Sequence, residues 1–241
     1  MPAPHQSRIA VFFGRNFYLL MSLLIACVVL AGFSRTVDKK LIHPDIPRPF
    51  VLYLHAAFFS AWVAFLIVQS ALVQSGRIRS HRMLGWFGVA LGTATFVVGV
   101  RTAITMTRFN ILHYHARYAD LSLLISFYDI IAFGIPFALA VIWRKRPEFH
   151  RRLMFIATCA LTSAAFGRLP IPPHVRHSVF FYSCVDVLIL LGLVRDWLVN
   201  RRIHPVYLCA LPASILCQVA VVHAIYSHSP MWLRIAHSIL N

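Results

Sequence analysis

One stretch limits what this chain can become. It runs from Arg77 to Arg101, RIRSHRMLGWFGVALGTATFVVGVR: a basic turn, a histidine, about five apolar helical turns and then an arginine. The design returns at 146–168, RPEFHRRLMFIATCALTSAAFGR, and more loosely at 201–223, RRIHPVYLCALPASILCQVAVVH. In each copy a histidine (His81, His150, His204) opens a helix, and a polar residue (Arg101, Arg168, His223) follows 20, 18 and 19 positions later. At 1.5 Å per residue this is about 27–30 Å, one hydrocarbon thickness.

The rest of the chain agrees. Of its 241 residues 59% are hydrophobic, and several apolar runs are long enough to span a bilayer. No stretch outside them is long enough to fold alone, so residues 1–241 are expected to be a single integral membrane domain. Helices are expected at about 17–33, 50–74, 84–106, 121–143, 151–169, 178–197 and 205–226. The fold class is all-α: a seven-helix transmembrane bundle built from one helix plus three helical hairpins. The first run is expected to be a membrane helix rather than a signal peptide, because no small-residue cleavage site followed by a soluble domain is present. The tail beyond Tyr226 holds Trp232, Leu233 and Ile239 and is expected in the interface.

A formal charge of +16 would suggest nucleic acid in a soluble protein. Here it is accounted for by loop Lys/Arg that set topology and meet lipid headgroups, so no nucleic-acid partner is expected. With the turns after the second, fourth and sixth helices on the N-terminal side, that side collects 13 of the 23 Lys+Arg in short segments. The positive-inside rule then puts the N-terminus in the cytoplasm and the C-terminus outside. The five cysteines all lie in apolar runs without a CxxC pair and are expected to be small buried hydrophobes. The last helix has no lysine for a retinal Schiff base.

Polar groups fall in two layers. His81, His150 and His204 gather at the cytoplasmic face. Arg101, Asp129, Arg168 and Asp186, with His55 and His223, gather in the outer half; Asp129 and Asp186 each lie about 12 Å in from a helix start. Unpaired charges in lipid cost several kcal/mol, so these groups are expected to face the interior. They either pair, Asp with Arg, or line a cavity that could hold haem propionates, a quinone oxygen or a proton path. Haem b in membrane bundles is gripped by imidazoles from two helices at one depth. His81 with His150 is the first choice of pair, since both stand in HRxL, and His204 is second. Arg82, Arg151 and Arg152 stand near enough in sequence to neutralise propionates. His55 with His223 is a rival pair at the outer end. His113 and His115 in HYH, and His174 and His177 in HVRH, are weaker candidates for copper or zinc. Gly88 and Gly92 form a GxxxG that marks close helix packing. No catalytic residue is assigned.

The segments YLHAAFFSAWVAFLIVQ, GRIRSHRMLGWFGVALG, RPEFHRRLMFIAT and VRDWLVNRRIHP resemble a widespread family of uncharacterised bacterial multi-pass membrane proteins. In that family LHG/LHA…AW…Q, GR…HRRLGW, P…HKRLM and D…RVHP recur in this order. The match runs over most of the chain, 53–205, and implies a bacterial inner (cytoplasmic) membrane protein. More distantly, the histidine hairpin scheme is similar to small membrane proteins of cytochrome c oxidase assembly and to b561-type haem proteins. That similarity implies ligand roles for His55, His81 and His150. The chain departs from it on the fourth helix, where Asp129 stands in place of a second intramembrane histidine.

These features leave three functions open. One is a haem- or metal-binding protein for electron transfer or respiratory-complex biogenesis. The second is a transporter or small-molecule binder using the Asp/Arg/His layer. The third is an accessory or structural subunit of a membrane complex. For the topology, a periplasm-specific reporter fused after Asn241 should be active; a fusion active only in the cytoplasm would overturn it.

Overall fold

A computed structural model describes residues 8–116, 118–172 and 178–240, and among them the regular structure is helical. The elements are α1 (Arg8–Phe33), a π-helical turn (Asp38–Ile42), α2 (Phe50–Gln74), α3 (Ile78–Tyr114), α4 (Ala119–Ile142), α5 (Pro147–Ala160), α6 (Ser163–Phe166), α7 (Ser178–Asn200), α8 (Pro205–Tyr226) and α9 (Pro230–Leu240). Six of these, α1, α2, α3, α4, α7 and α8, are long and apolar enough to cross a membrane. Large apolar side chains such as Leu30, Met83, Trp86, Phe87, Leu112 and Leu216 are exposed on them. A continuous apolar exterior of this kind fits lipid rather than water.

Prolines start several helices. Pro147, Pro205 and Pro230 occupy the first turns of α5, α8 and α9, where a missing N–H leaves no hydrogen bond unmade. Gly76 turns the chain between α2 and α3 with φ +76°, a value few side chains tolerate. α3 overruns the expected 84–106 in both directions, because its polar flanks contain no breaker before His115 caps it in the left-handed region. HYH is therefore the end of a helix and not an extended strand, so His113 and His115 lack the alternation that would let them share one ion. The expected 151–169 helix is two pieces, α5 and α6. At the break Thr162 Oγ1 donates to the Cys159 carbonyl at 2.6 Å, and one turn earlier Thr158 Oγ1 donates to Met154 at 2.9 Å. Hydroxyls competing for helix carbonyls loosen the ladder at such a point.

α5 and α6 are the centre of the bundle. They pack against α1, α4, α7 and α8, and nearly every residue from Arg152 to Phe166 is buried or half-buried. One core joins Phe17, Met21 and Ile25 of α1 to Phe155, Ile156 and Cys159 of α5 and Leu188 and Ile189 of α7. A second joins Trp62 of α2 to Phe133 and Phe137 of α4, the Trp62 ring meeting each edge-on at 5.3 and 5.5 Å. Leu91 of α3 belongs to that second core as well. All five cysteines are free, but only Cys159 is buried as expected; Cys184 is half-buried, and Cys27, Cys209 and Cys217 are exposed.

The two ends of the bundle differ. The start of α1, the α2–α3 turn, the α4–α5 turn and the α7–α8 turn share one end, the basic end. At the far end the chain after α1 is pinned by Arg48, whose Nη2 donates to the Tyr114 hydroxyl at 2.7 Å. α9 lies across the far ends of α3 and α4: Trp232 Nε1 donates to the Asp120 carbonyl at 3.0 Å, and Arg108 Nη2 to Ile239 at 2.8 Å.

The GxxxG glycines admit aromatic rings rather than a second helix backbone. A Cβ on Gly88 would collide with Phe65, and one on Gly92 with Phe137 and Trp62. A Cβ on Gly85 in the same helix would meet nothing within 4 Å. Gly92→Ala should therefore cost about 1–3 kcal/mol by overpacking. Gly85→Ala should be neutral or stabilising by up to about 1 kcal/mol. Thermal denaturation of both variants in detergent gives the comparison.

Candidate functional site

The most buried charges lie at the basic end. Arg152 of α5 is 1% exposed and Asp196 of α7 is 0% exposed. They make a two-pronged pair, Nε to Oδ2 at 2.7 Å and Nη2 to Oδ1 at 2.8 Å. Arg152 Nη1 also donates to Glu148 Oε2 at 2.6 Å, one turn back on α5. Arg195 adds a bond to Asp196 at 3.1 Å and one to the Gly14 carbonyl of α1 at 3.1 Å. Asn200 Nδ2 donates to Asp196 at 3.3 Å, and the Tyr18 ring of α1 carries the guanidinium groups of Arg151 and Arg195 at 5.8 and 5.6 Å. One network thus ties α1, α5 and α7. Arg152, expected from sequence beside haem propionates, is instead bonded to Asp196 and Glu148, and the sequence assigns Asp196 no role. A signal was present: Asp196 is one of only seven acids, and it stands beside a basic turn.

The three histidines of the repeat lie beside this network. His81 and His150 are ring neighbours, with centroids 6.2 Å apart and planes at 73°. His150 Nδ1 donates to the Ala140 carbonyl at 2.9 Å, which holds the proton on Nδ1 and leaves Nε2 as the free nitrogen. His81 Nδ1 is buried without a partner among the described residues. His204 takes another part. It caps α8, its Nδ1 accepting from Val206 N–H at 3.2 Å, and its ring sits edge-on to Phe149 at 4.7 Å. Burial and the nearby Arg152 guanidinium lower its pKa, in keeping with an unprotonated Nδ1 that accepts.

At the far end the expected Asp–Arg contact does not form. Asp129 accepts a short hydrogen bond from Ser163 of α6. Asp186 accepts from Gln218 Nε2 of α8 at 2.9 Å. Arg168 is exposed; it donates to the Ala164 carbonyl at 2.6 Å and lies over the Phe33 ring at 4.7 Å. Arg101 is exposed as well and is in no ion pair among the described residues. Both arginines are exposed, and a long side chain can carry its charge out of the bundle without an acid partner. The acids stay inside and find neutral donors.

The rival histidines do not meet. His55 is half-buried, stacks on Phe59 at 4.0 Å and has an unpartnered Nδ1, while His223 is exposed near the end of α8. His113 packs on Phe109 at 4.4 Å, and His115 is exposed. His174 and His177 lie outside the described residues. Among the described residues no group of three or more His, Cys, Asp or Glu is placed to hold a metal ion.

Between α4, α5, α7 and α8 lies a cavity of about 470 Å³. Most of its wall is apolar, but Asp129, Ser163, Tyr128, Tyr182, Ser214 and Gln218 close one end. None of these hydroxyl and amide residues stood out in the sequence, since Ser, Tyr and Gln scattered over four helices carry no periodic signal. In comparison with known proteins, no family model, curated protein or solved structure matches the chain.

Removing one partner of a buried ion pair leaves an uncompensated charge. Asp196→Leu should therefore destabilise the protein by about 3–5 kcal/mol. The double variant Arg152→Met/Asp196→Leu should be less destabilised than that single variant. Equal losses in thermal melts of the two would show that the pair is not coupled.

Proposed function

We propose that the chain is a b-type haem or metal protein of the bacterial inner membrane, serving electron transfer or the biogenesis of a respiratory complex. The observation that supports this is the His81–His150 pair. Two imidazoles on one iron need Fe–N bonds of about 2 Å each, which with the ring radii puts the centroids about 6 Å apart. The observed separation is 6.2 Å. The donor set fits: His150 has its outer nitrogen tied to a carbonyl, as metal-binding histidines do, and His81 has a buried nitrogen without a partner. When bound, haem would supply one-electron chemistry. His81 and His150 would hold it from two helices, with the Ala140 carbonyl fixing the His150 ring. Copper held by the same two imidazoles is the lesser alternative.

The topology goes with this proposal. α5 and α6 together run 147–166 and act as a seventh crossing, which makes one helix plus three hairpins. A span enclosed by four others need not be apolar on all sides. With the basic end in the cytoplasm, His81 and His150 lie at the inner face, and α9 lies at the outer interface. The resemblance to bacterial multi-pass membrane proteins and to haem-binding hairpins is in keeping with this. A second role, as an accessory subunit, gains from the Arg152–Asp196 network, which locks helices whether or not anything is bound.

Protein purified after expression with ample haem should show a Soret band. His81→Ala and His150→Ala should each remove it, while His204→Ala and His223→Ala should keep it. Wild-type protein with no Soret band and no stoichiometric metal would leave the accessory role in place of this one.

A further inference from the structure

The cavity is independent of the histidine pair, and its shape is specific. On α4 its wall runs from Tyr128 to Trp143, and on α8 from Gln218 back to Pro205. Each wall is about 20 Å long at 1.5 Å per residue, so the two antiparallel helices flank a narrow slot. The volume of about 470 Å³ over that length leaves room for about one hydrocarbon chain in width. Small residues keep it open: Ala132, Ala160, Ala210 and Ala213 all face it. The interior prolines of the two flanking helices, Pro136 and Pro212, fall midway along these walls. Neither ring fits a closed helical ladder, so the helices are less able to close on each other there. Ile131, Ile135, Ala213 and Cys217 line the slot and are also exposed, so it opens sideways between α4 and α8 toward the bilayer.

The far end of the slot is polar and incompletely bonded. Tyr128 hydrogen-bonds Ser214 Oγ at 3.2 Å, and Gln218 Nε2 donates to both Ser214 Oγ at 3.0 Å and Asp186. Asp129 takes the Ser163 hydroxyl on one oxygen, Oδ2. Tyr182 is 3% exposed, packs edge-on to Tyr128 at 5.3 Å, and its hydroxyl has no partner among the described residues. A buried hydroxyl without a partner is costly, and a ligand oxygen would relieve it. The surrounding groups select the head. The Asp129 carboxylate opposes an anion. The unpartnered Tyr182 hydroxyl calls for an acceptor oxygen, which an ammonium lacks.

We propose that this slot binds a single-chain, uncharged amphiphile taken from the bilayer. Its head oxygen accepts from the Tyr182 hydroxyl, a hydroxyl head also donating to Asp129, and its alkyl or isoprenoid chain lies between α4 and α8 toward Trp143.

The test uses the full chain in lipid nanodiscs with four probes: dodecanol, decylubiquinone, laurate and dodecylamine. Binding is read by native mass spectrometry and by shift in Tm. Dodecanol, decylubiquinone or both should bind, and laurate and dodecylamine should bind at least tenfold more weakly. Preference for the alcohol or for the quinone identifies the source of the head. Tyr182→Phe, which keeps the ring, should weaken the bound probe about tenfold, the equivalent of one hydrogen bond of about 1.4 kcal/mol. Ala213→Trp should block binding by filling the slot. Binding of neither uncharged probe, equal binding of the charged ones, or unchanged affinity in Tyr182→Phe would overturn the proposal. Loss of the Soret band in a histidine variant leaves these outcomes unaffected, so the two sites fail separately.

Discussion

Arg152 and Asp196 exchange two charge-assisted hydrogen bonds with almost no contact with solvent. Taking two such charges out of water is expensive, and the cost is met only where geometry is good and every remaining lone pair and proton is used. Glu148, Arg195 and Asn200 supply most of those further bonds, and Arg195 in turn donates to the Gly14 carbonyl of α1. The consequence is positional. α5 cannot slide, rotate or leave the centre without stranding a guanidinium, so α1 and α7 are held in register with it. The packing of Phe17, Phe155 and Leu188 follows from that register.

The same register places the two candidate sites. His150 is two residues before Arg152 on α5, so fixing Arg152 fixes the helix start that carries His150 toward His81. Ser163, just past the break in the same central span, is held at the far end against Asp129. One inner segment therefore contributes to both ends: an imidazole at the basic end and a hydroxyl at the polar end of the slot.

Charge and hydration divide along the helix axes. Arg101 and Arg168, toward the far end, are exposed, and their length lets the charge sit outside the bundle. The acids at that end have short side chains that cannot reach out, and they take bonds from Ser163 and Gln218 instead. An arginine carries its charge past three methylenes and an aspartate past one, so Arg and Asp in the same part of the bundle need not meet.

Sequence alone determined the helical, membrane-spanning class, because apolar runs of this length have few structures open to them in lipid, while its seven expected helices became six long apolar ones and the broken α5–α6 segment. It also pointed to His81 and His150, through two copies of HRxL at matching helix starts. Tertiary structure decided what periodicity cannot carry. The buried partner of Arg152 is 44 residues away on another helix. The polar end of the slot is assembled from α4, α6, α7 and α8, and its apolar length from the facing of α4 and α8. The expected far-end Asp–Arg pairs were drawn from depth alone, and depth fixes height in the membrane but not the rotation of a helix about its axis. That rotation is set by packing, and it is what turns a list of polar residues into neighbours.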